Sequence, residues 1–117
     1  MNPLEAALYV FVLSGGSQPL ACTLRTDSDV TCSNGVAVYQ AVDGAFRLSN
    51  GPLVRKTADG DLSFSTGLTV QRTSTGWMRF SNGLQVRRTA GNLYRFDNGF
   101  ACIGVSAQEA SCLKPAK

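Results

Sequence analysis

One short turn motif recurs every 16 residues along most of this chain. Its five copies are Ser33-Asn34-Gly35, Ser49-Asn50-Gly51, Ser65-Thr66-Gly67, Ser81-Asn82-Gly83 and Asp97-Asn98-Gly99. Aligning the chain on this spacing adds a degenerate leading copy, so residues 17–112 divide into six repeats. Because the units of such an array pack mainly on their neighbours, this period constrains the fold more than any other property of the sequence.

Each repeat contains two turn signals, and a short strand follows each of them. In the third copy, strands are predicted at 52–57 and 61–64 and are separated by a turn at 58–60. This second turn recurs at 42–44, 74–76 and 90–92. A three-residue loop that ends in Gly or Asn is typical of a type I turn followed by a left-handed residue. We therefore predict an all-β fold, in which six 16-residue β-hairpin repeats form a continuous antiparallel up-and-down meander. The meander is either a curved single sheet or a squat barrel.

Apolar residues recur at repeat positions that share one face of a strand. The sixth position holds Cys22, Val38, Val54, Val70, Val86 and Cys102. The sixteenth position holds Cys32, Leu48, Phe64, Phe80, Phe96 and Cys112. Because side chains alternate along a strand, these positions face the core, and the hairpin geometry places the sixth opposite the sixteenth.

The four cysteines occupy these facing positions in the first and last hairpins. Since cross-strand neighbours lie about as close as a disulfide requires, we predict the bridges Cys22–Cys32 and Cys102–Cys112. A zinc site is the alternative, but the ten-residue spacing is wider than that of usual ligand pairs and the chain has no histidine. Disulfides indicate an oxidising environment, so we expect an extracellular, periplasmic or virion-associated protein.

The N-terminal segment, residues 1–16, is apolar on all sides. Asn2 as N-cap, Pro3 as first helical residue and Glu5 as capping-box partner predict a short helix that ends at 14–16. The β-branched and aromatic run at 9–13 suits a strand equally well. We expect the segment either to plug its own sheet or to enter a partner subunit, with Leu4, Leu8, Phe11 and Val12 as the candidate partner contacts.

The same apolar run resembles the central part of a signal peptide. Glu5, however, stands where a signal peptide carries Lys or Arg, so we interpret the segment as part of the mature protein. Residues 17–112 then form the repeat domain, and 113–117 form a short basic tail. The longest apolar run is too short for a transmembrane helix.

Basic residues occupy the opposite face of the predicted sheet. The net charge is +3, and the candidate binding residues are Arg47, Arg55, Trp77, Arg79, Arg87 and Arg95. Cross-strand pairing is expected to place Arg87 opposite Arg95 and Gln71 opposite Arg79 on one flat basic surface. Arginines that face each other repel, which favours a compensating anion. They can equally serve to keep the sheet soluble. Trp77 is the only tryptophan, so nucleic acid is not favoured as a partner, because single strands are bound on several stacking aromatics.

No pattern indicates catalysis: the chain has no histidine, no nucleophile elbow and no phosphate-binding loop. We therefore predict no enzymatic activity, no cofactor and no bound metal. Our leading hypothesis is a structural or assembly protein of an extracellular, cell-surface or virion-type assembly. It would pack its apolar N-terminus and sheet on homo- or hetero-oligomeric subunits.

A secreted recognition module that binds a glycan or an anionic polymer through the arginine face is the alternative. The sequence Tyr-Arg-Phe-Asp-Asn-Gly at 94–99 resembles the hairpin repeats of choline-binding and other cell-wall-binding modules. Those repeats are longer and rich in tryptophan and paired tyrosines. The resemblance implies glycan or cell-wall recognition.

Overall fold

A computed structural model describes residues 2–25, 29–41, 43–56, 62–73 and 76–114. The predicted turn at 58–60, most of the turn at 74–76 and residues 115–117 of the predicted tail lie outside the described residues. Residue 113 belongs to the last strand, so the tail begins one residue later than predicted.

In the part of the chain that the structure describes, one helix is followed by twelve antiparallel strands, which confirms the predicted all-β meander. The elements are α1 Pro3–Leu13, β1 Leu20–Leu24, β2 Val30–Cys32, β3 Ala37–Gln40, β4 Phe46–Leu48, β5 Leu53–Lys56, β6 Leu62–Phe64, β7 Val70–Arg72, β8 Trp77–Phe80, β9 Gln85–Ala90, β10 Leu93–Phe96, β11 Ala101–Gly104 and β12 Glu109–Leu113. The strands form a nearly closed, squat barrel with overall extents of 35 × 34 × 23 Å.

The barrel closes through pairing of its first and last strands. Leu20 on β1 lies opposite Cys112 on β12, and three further residue pairs continue this ladder. The remaining seam lies between β6 and β7, where a single bridge joins Ser63 and Thr69. Leu62 and Val70 at this seam are only half-buried, so the core is less well covered there than elsewhere in the barrel.

The predicted register holds in all six hairpins. The facing pairs of sixth and sixteenth positions are Cys22–Cys32, Val38–Leu48, Val54–Phe64, Val70–Phe80, Val86–Phe96 and Cys102–Cys112. Both predicted disulfides are confirmed, with Cα–Cα distances of 4.0 Å for Cys22–Cys32 and 3.9 Å for Cys102–Cys112. The period thus sets both the strand pairing and the disulfide pairing.

The recurring turn motif owes its composition to three hydrogen bonds. Gly35 adopts a φ of +88°, which glycine tolerates without strain, and its N–H donates to the Cys32 carbonyl at 3.0 Å. The Ser33 hydroxyl accepts from the N–H of Ala21 on the preceding hairpin at 3.0 Å. The Asn34 side chain accepts from the N–H of Val36 at 3.1 Å. Serine therefore links neighbouring hairpins, and asparagine shapes the turn.

The second type of turn follows the prediction at two sites and departs from it at one. Gly44 and Gly76 adopt φ values of +86° and +91°, as a left-handed third residue requires. At 90–92, however, Ala90 pairs with Leu93, so the predicted three-residue loop is wrong and only two residues form it. A register shift between Leu93 and Tyr94 absorbs the difference as a bulge and restores the common pairing further along.

The N-terminal segment is a helix, and it fills the barrel from within. The Asn2 side chain accepts from the N–H of Leu4 at 2.8 Å, as an N-cap does. Nine of the eleven helical residues are buried, and they are Pro3, Leu4, Ala6, Ala7, Leu8, Tyr9, Val10, Phe11 and Val12. The ring of Phe11 lies 4.9 Å from that of Phe96 and 5.2 Å from that of Phe100. Of the two predicted arrangements, the structure shows the one in which the segment packs inside its own sheet and does not enter a partner subunit.

The recurring asparagines also hold the end of the helix. Asn82 donates its side-chain amide to the Val12 carbonyl at 3.2 Å, and Asn98 donates to the Gly16 carbonyl at 2.8 Å. Gly16 has a φ of +70°, and a Cβ at this position would lie 2.7 Å from a methyl group of Leu84. The Val12 carbonyl also accepts from the N–H of Gly15 at 3.2 Å, so Asn82 is its second donor, whereas Asn98 binds the chain just after the helix. Both turns therefore hold the end of the helix in place.

Tyr9 brings a polar atom into this apolar interior. Its ring packs 5.4 Å from that of Phe46, and its hydroxyl donates to the Glu5 carboxylate at 3.3 Å. Burial, and next the charge of Glu5, raise the pKa of Tyr9 well above its ordinary value. The phenol is therefore neutral at all physiological pH values and remains a hydrogen-bond donor.

Candidate ligand-binding face

Curvature of the sheet divides the predicted basic surface into two groups. Arg47 lies on β4 and Arg55 on β5, whereas Arg79, Arg87 and Arg95 lie on β8, β9 and β10. Because β6 and β7 separate the two groups in a sheet that curls into a barrel, the groups face different directions. The expectation of one flat basic surface is therefore wrong, and the larger group on β8–β10 is the candidate site.

The register brings the residues of the larger group side by side. Arg87 lies directly opposite Arg95, as predicted, and Trp77 lies opposite Arg87 on its other side. Gln71 lies opposite Arg79, which is also as predicted. The three arginine side chains are exposed. Side chains of directly opposite residues lie about 5 Å apart at Cβ, so one ligand can contact several of them.

The two groups differ in their electrostatic environment. Arg55 forms an ion pair with Asp43 at 2.9 Å, and about half of each side chain is exposed. The backbone N–H of Ala45, and then the charge of Arg55, hold the pKa of Asp43 below its ordinary value, so this carboxylate is ionised at neutral pH. Within the described ranges, no carboxylate lies within ion-pair distance of Arg79, Arg87 or Arg95.

Trp77 stands at the edge of this group. Its side chain is half-buried, and it lies outside the cluster of core residues. Its backbone N–H donates to the Thr73 hydroxyl at 3.1 Å, and its carbonyl accepts from the Thr73 N–H at 2.8 Å. These two bonds fix the backbone of Trp77, and its half-buried side chain keeps part of its surface accessible to solvent.

The four N-terminal candidates do not join the site. Leu4, Leu8, Phe11 and Val12 are each no more than 4% exposed, because α1 lies inside the barrel. They are core residues, and the partner contact predicted for them is not available in this fold. The sequence could not separate the two solutions, since a helix that is apolar all round suits either interior equally.

Arg88 is a basic residue near the site that sequence reasoning left without a role. It lies on the inner-face parity, opposite Tyr94, and its guanidinium carbon is 5.6 Å from the centre of the Tyr94 ring. It also donates to the Gly91 carbonyl at 2.6 Å. This arginine therefore braces the β9–β10 turn. The sequence did contain a signal for this role. Arg88 takes the eighth position of its repeat, which lies on the same side of the strand as the core-facing sixth position.

The strands β1–β3 and β12 carry no arginine on the outer wall, although Glu109 on β12 lies opposite Thr23. Thr23, Thr31 and Ala37 lie side by side across β1–β3, and Ser111 lies opposite Ala21. A hollow of about 520 Å³ lies beside Arg79, lined also by Thr69 and Gln71. The outward arginines of the strands thus lie in the two groups on β4–β5 and β8–β10, of which the second is the larger.

Other classes of site find no support in the described ranges. No group of three Cys, Asp or Glu side chains there could hold a metal ion, and both cysteine pairs are oxidised. At eleven residues, α1 is too short to cross a membrane, and the described residues contain no helix that could do so. The chain matches no protein-family model, no curated protein and no solved structure.

Proposed function

We propose that this protein is a non-catalytic recognition module that binds an anionic polymer through Arg79, Arg87 and Arg95. The observation that carries the proposal is the direct juxtaposition of Arg87 and Arg95, with no carboxylate of the described residues within ion-pair distance. Two facing cations destabilise a sheet, and a bound polyanion removes that cost.

The uneven distribution of charge supports binding over a general role in solubility. Arginines that served only to keep the barrel soluble would be expected around its whole circumference. Instead, the strands β1–β3 carry Thr23, Thr31, Ala37 and Tyr39 on the outer wall, and no arginine. Exposed arginine is therefore not a requirement of the repeat.

The hypothesis of a structural assembly protein stays a prediction, but it loses one of its supports. It relied on an apolar N-terminus that enters partner subunits, and α1 instead occupies the interior of its own barrel. Mass measurement by light scattering in native buffer discriminates between the hypotheses. A defined oligomer would favour assembly, and a monomer is what we expect of a recognition module.

Two buried disulfides are compatible with an oxidising location. We infer that the protein acts outside the reducing cytosol. Acidic polymers are abundant on cell surfaces and between cells, which agrees with a binding role for the arginine face.

Replacing Arg79, Arg87 and Arg95 together by serine should abolish most of the binding to heparin, a convenient polyanion. Serine is the residue that the repeat itself places at Ser63, the equivalent of Arg79 and Arg95, so the substitutions suit the fold. If each exposed contact contributes about 0.7 kcal/mol, the three together amount to about 2 kcal/mol, or about 30-fold in Kd. Isothermal titration calorimetry at low salt measures this change.

Arg47→Ser is the matched control, because Arg47 is an exposed arginine at the same repeat position on the other side of the barrel. We expect Arg47→Ser to weaken heparin binding only slightly, by the amount that follows from the loss of one positive charge. Equal losses per arginine in the control and in the triple variant would contradict a localised site.

Breaking the ion pair of Asp43 should change heparin binding no more than the change in net charge does. Asp43→Asn removes the carboxylate at 2.9 Å from Arg55, but Arg55 belongs to the group on β4–β5, away from the proposed site. Because exposed ion pairs contribute only about 0.2–1 kcal/mol, we expect a gain in heparin affinity of at most a few-fold, and the same gain in the control. Glu109→Gln is the control, since it changes the net charge equally at an exposed position on β12. A larger gain in Asp43→Asn than in Glu109→Gln would show that Arg55 takes part in binding and would contradict a site confined to β8–β10.

A further inference from the structure

One row of residues that share the outer-face parity crosses five neighbouring strands of the barrel. It consists of Trp77 on β8, Arg87 on β9, Arg95 on β10, Ala101 on β11 and Leu113 on β12, each lying opposite the next. We refer to these five residues as the Trp77 row. With strands about 4.8 Å apart, its four steps span about 19 Å across the outside of the barrel.

The Trp77 row departs from the equivalent rows of the other repeats. Trp77 is the only tryptophan of the chain, and the equivalent positions hold Asp29, Ala45, Leu93 and Glu109 among the described residues. The neighbouring row runs through Gln71, Arg79 and Gln85, and the N–H of Gln85 donates to the carboxylate of Asp97. The Trp77 row itself contains no acid. In a repeat array, residues that break the shared pattern are not explained by the fold, which every unit shares.

The chemical character of the side chains also changes along the row. An aromatic ring stands at one end, two guanidinium groups follow, and an apolar step completes the row. Leu113 at that far end is 47% exposed, whereas Ala101 is only 2% exposed although it has outer-face parity. A leucine as exposed as this one buries apolar area when a ligand covers it.

We propose that the Trp77 row binds a linear acidic glycan that lies across the strands, an inference that rests on the proposed polyanion-binding function. A sugar ring has a flat, apolar C–H face that packs on an indole, and acidic sugars carry sulfate or carboxylate groups at their edges. Such a chain satisfies Trp77 and the paired arginines at once. A polymer of phosphate alone would leave Trp77 and Leu113 without contacts.

Single-stranded nucleic acid fits the row less well. Proteins that bind it stack successive bases on several aromatic side chains. The Trp77 row has one aromatic residue, and the residues next to it are both arginines. The glycan therefore uses more of the row than a nucleic acid would.

The single tryptophan gives a direct measurement. Trp77 fluorescence of the full, disulfide-bonded chain is followed as a heparin hexasaccharide, a heparin disaccharide, polyphosphate or oligo(dT) is added. We expect the hexasaccharide to shift the emission and to bind more tightly than the disaccharide, which reaches only part of the row. Calorimetry with Trp77→Ala should show about tenfold weaker binding of the hexasaccharide. Polyphosphate affinity should not change.

Tyr39→Ala is the matched control, since Tyr39 is an exposed aromatic residue on the outer face of β3. Trp77→Phe keeps an aromatic face and should retain most of the affinity for the hexasaccharide. The inference is overturned, and polyanion binding retained, if all polyanions bind alike and neither Trp77 fluorescence nor Trp77→Ala responds. Tighter oligo(dT) binding that quenches Trp77 would assign the row to nucleic acid instead. Failure of every polyanion to bind would remove the proposed function itself.

Discussion

Phe11→Ala should lower the free energy of unfolding by about 3–5 kcal/mol. Phe11 is fully buried in α1, and its ring packs against two further aromatic rings of the barrel wall, those of Phe96 and Phe100. Truncation leaves a cavity that the surrounding wall cannot close, because the strands are held in a ring. Urea denaturation followed by circular dichroism measures the change.

Tyr39→Ala is the matched control, because it also removes an aromatic ring but from an exposed position, where we expect at most about 0.5 kcal/mol. The comparison tests the position of the helix. If α1 instead entered a partner subunit, Phe11→Ala would leave the monomer nearly as stable as the wild type and would weaken association.

Removing the Cys22–Cys32 bridge should have the next largest effect. We expect Cys22→Ala with Cys32→Ala to cost about 3–5 kcal/mol, since the bridge restrains the unfolded chain and both residues also pack in the core. Thermal unfolding of the double variant measures the loss. We expect the variant to be less stable than the wild type under every condition in which the wild-type bridge stays oxidised.

The repeat itself supplies a sharper comparison. The adjacent hairpin places Val38 and Leu48 at these facing positions, and the other three interior hairpins pair a valine with a phenylalanine. Cys22→Val with Cys32→Leu restores the apolar packing without the covalent link, so it should lose about 1–2 kcal/mol less than the alanine pair. Equal losses in both variants would show that packing at this pair contributes little and that the covalent restraint accounts for the whole effect.

Much of the fold could be predicted because the 16-residue period carries it. Once the turns are placed, strand pairing within a hairpin is a local matter, and the alternation of side chains then assigns the core and both disulfides. The helix start at Asn2 and Pro3 was predictable for the same reason, since capping depends on adjacent residues.

What could not be predicted depends on contacts between distant parts of the chain. Pairing of β1 with β12 joins residues about 90 positions apart, and no local pattern specifies it. That closure decides the rest: it creates an interior that admits α1, and it turns Arg47 away from Arg87 and Arg95. The weak pairing of β6 with β7, through the single bridge between Ser63 and Thr69, has no clear signal in the sequence, because the turn between these strands differs from the other turns only in Thr66.

Trp77 illustrates the intermediate case. Its outer-face parity followed from its repeat position, but its place beside Arg87 required the pairing of β8 with β9, which belong to different repeats. The individual members of the candidate site were therefore predictable. The neighbours of each member depended on the register between repeats.

The helix inside the barrel has a consequence for how such a protein can evolve. Twelve strands about 4.8 Å apart and tilted by about 40° enclose a backbone cylinder of about 12 Å radius. After the inward side chains are accommodated, the remaining channel is about as wide as one α-helix, 10–12 Å. Gaining or losing one repeat would change the radius by about 2 Å, which leaves the helix either loose or excluded. An open solenoid can lengthen by duplication of a repeat. In this barrel the width of the enclosed helix limits the number of repeats, and six repeats form a channel of the matching width.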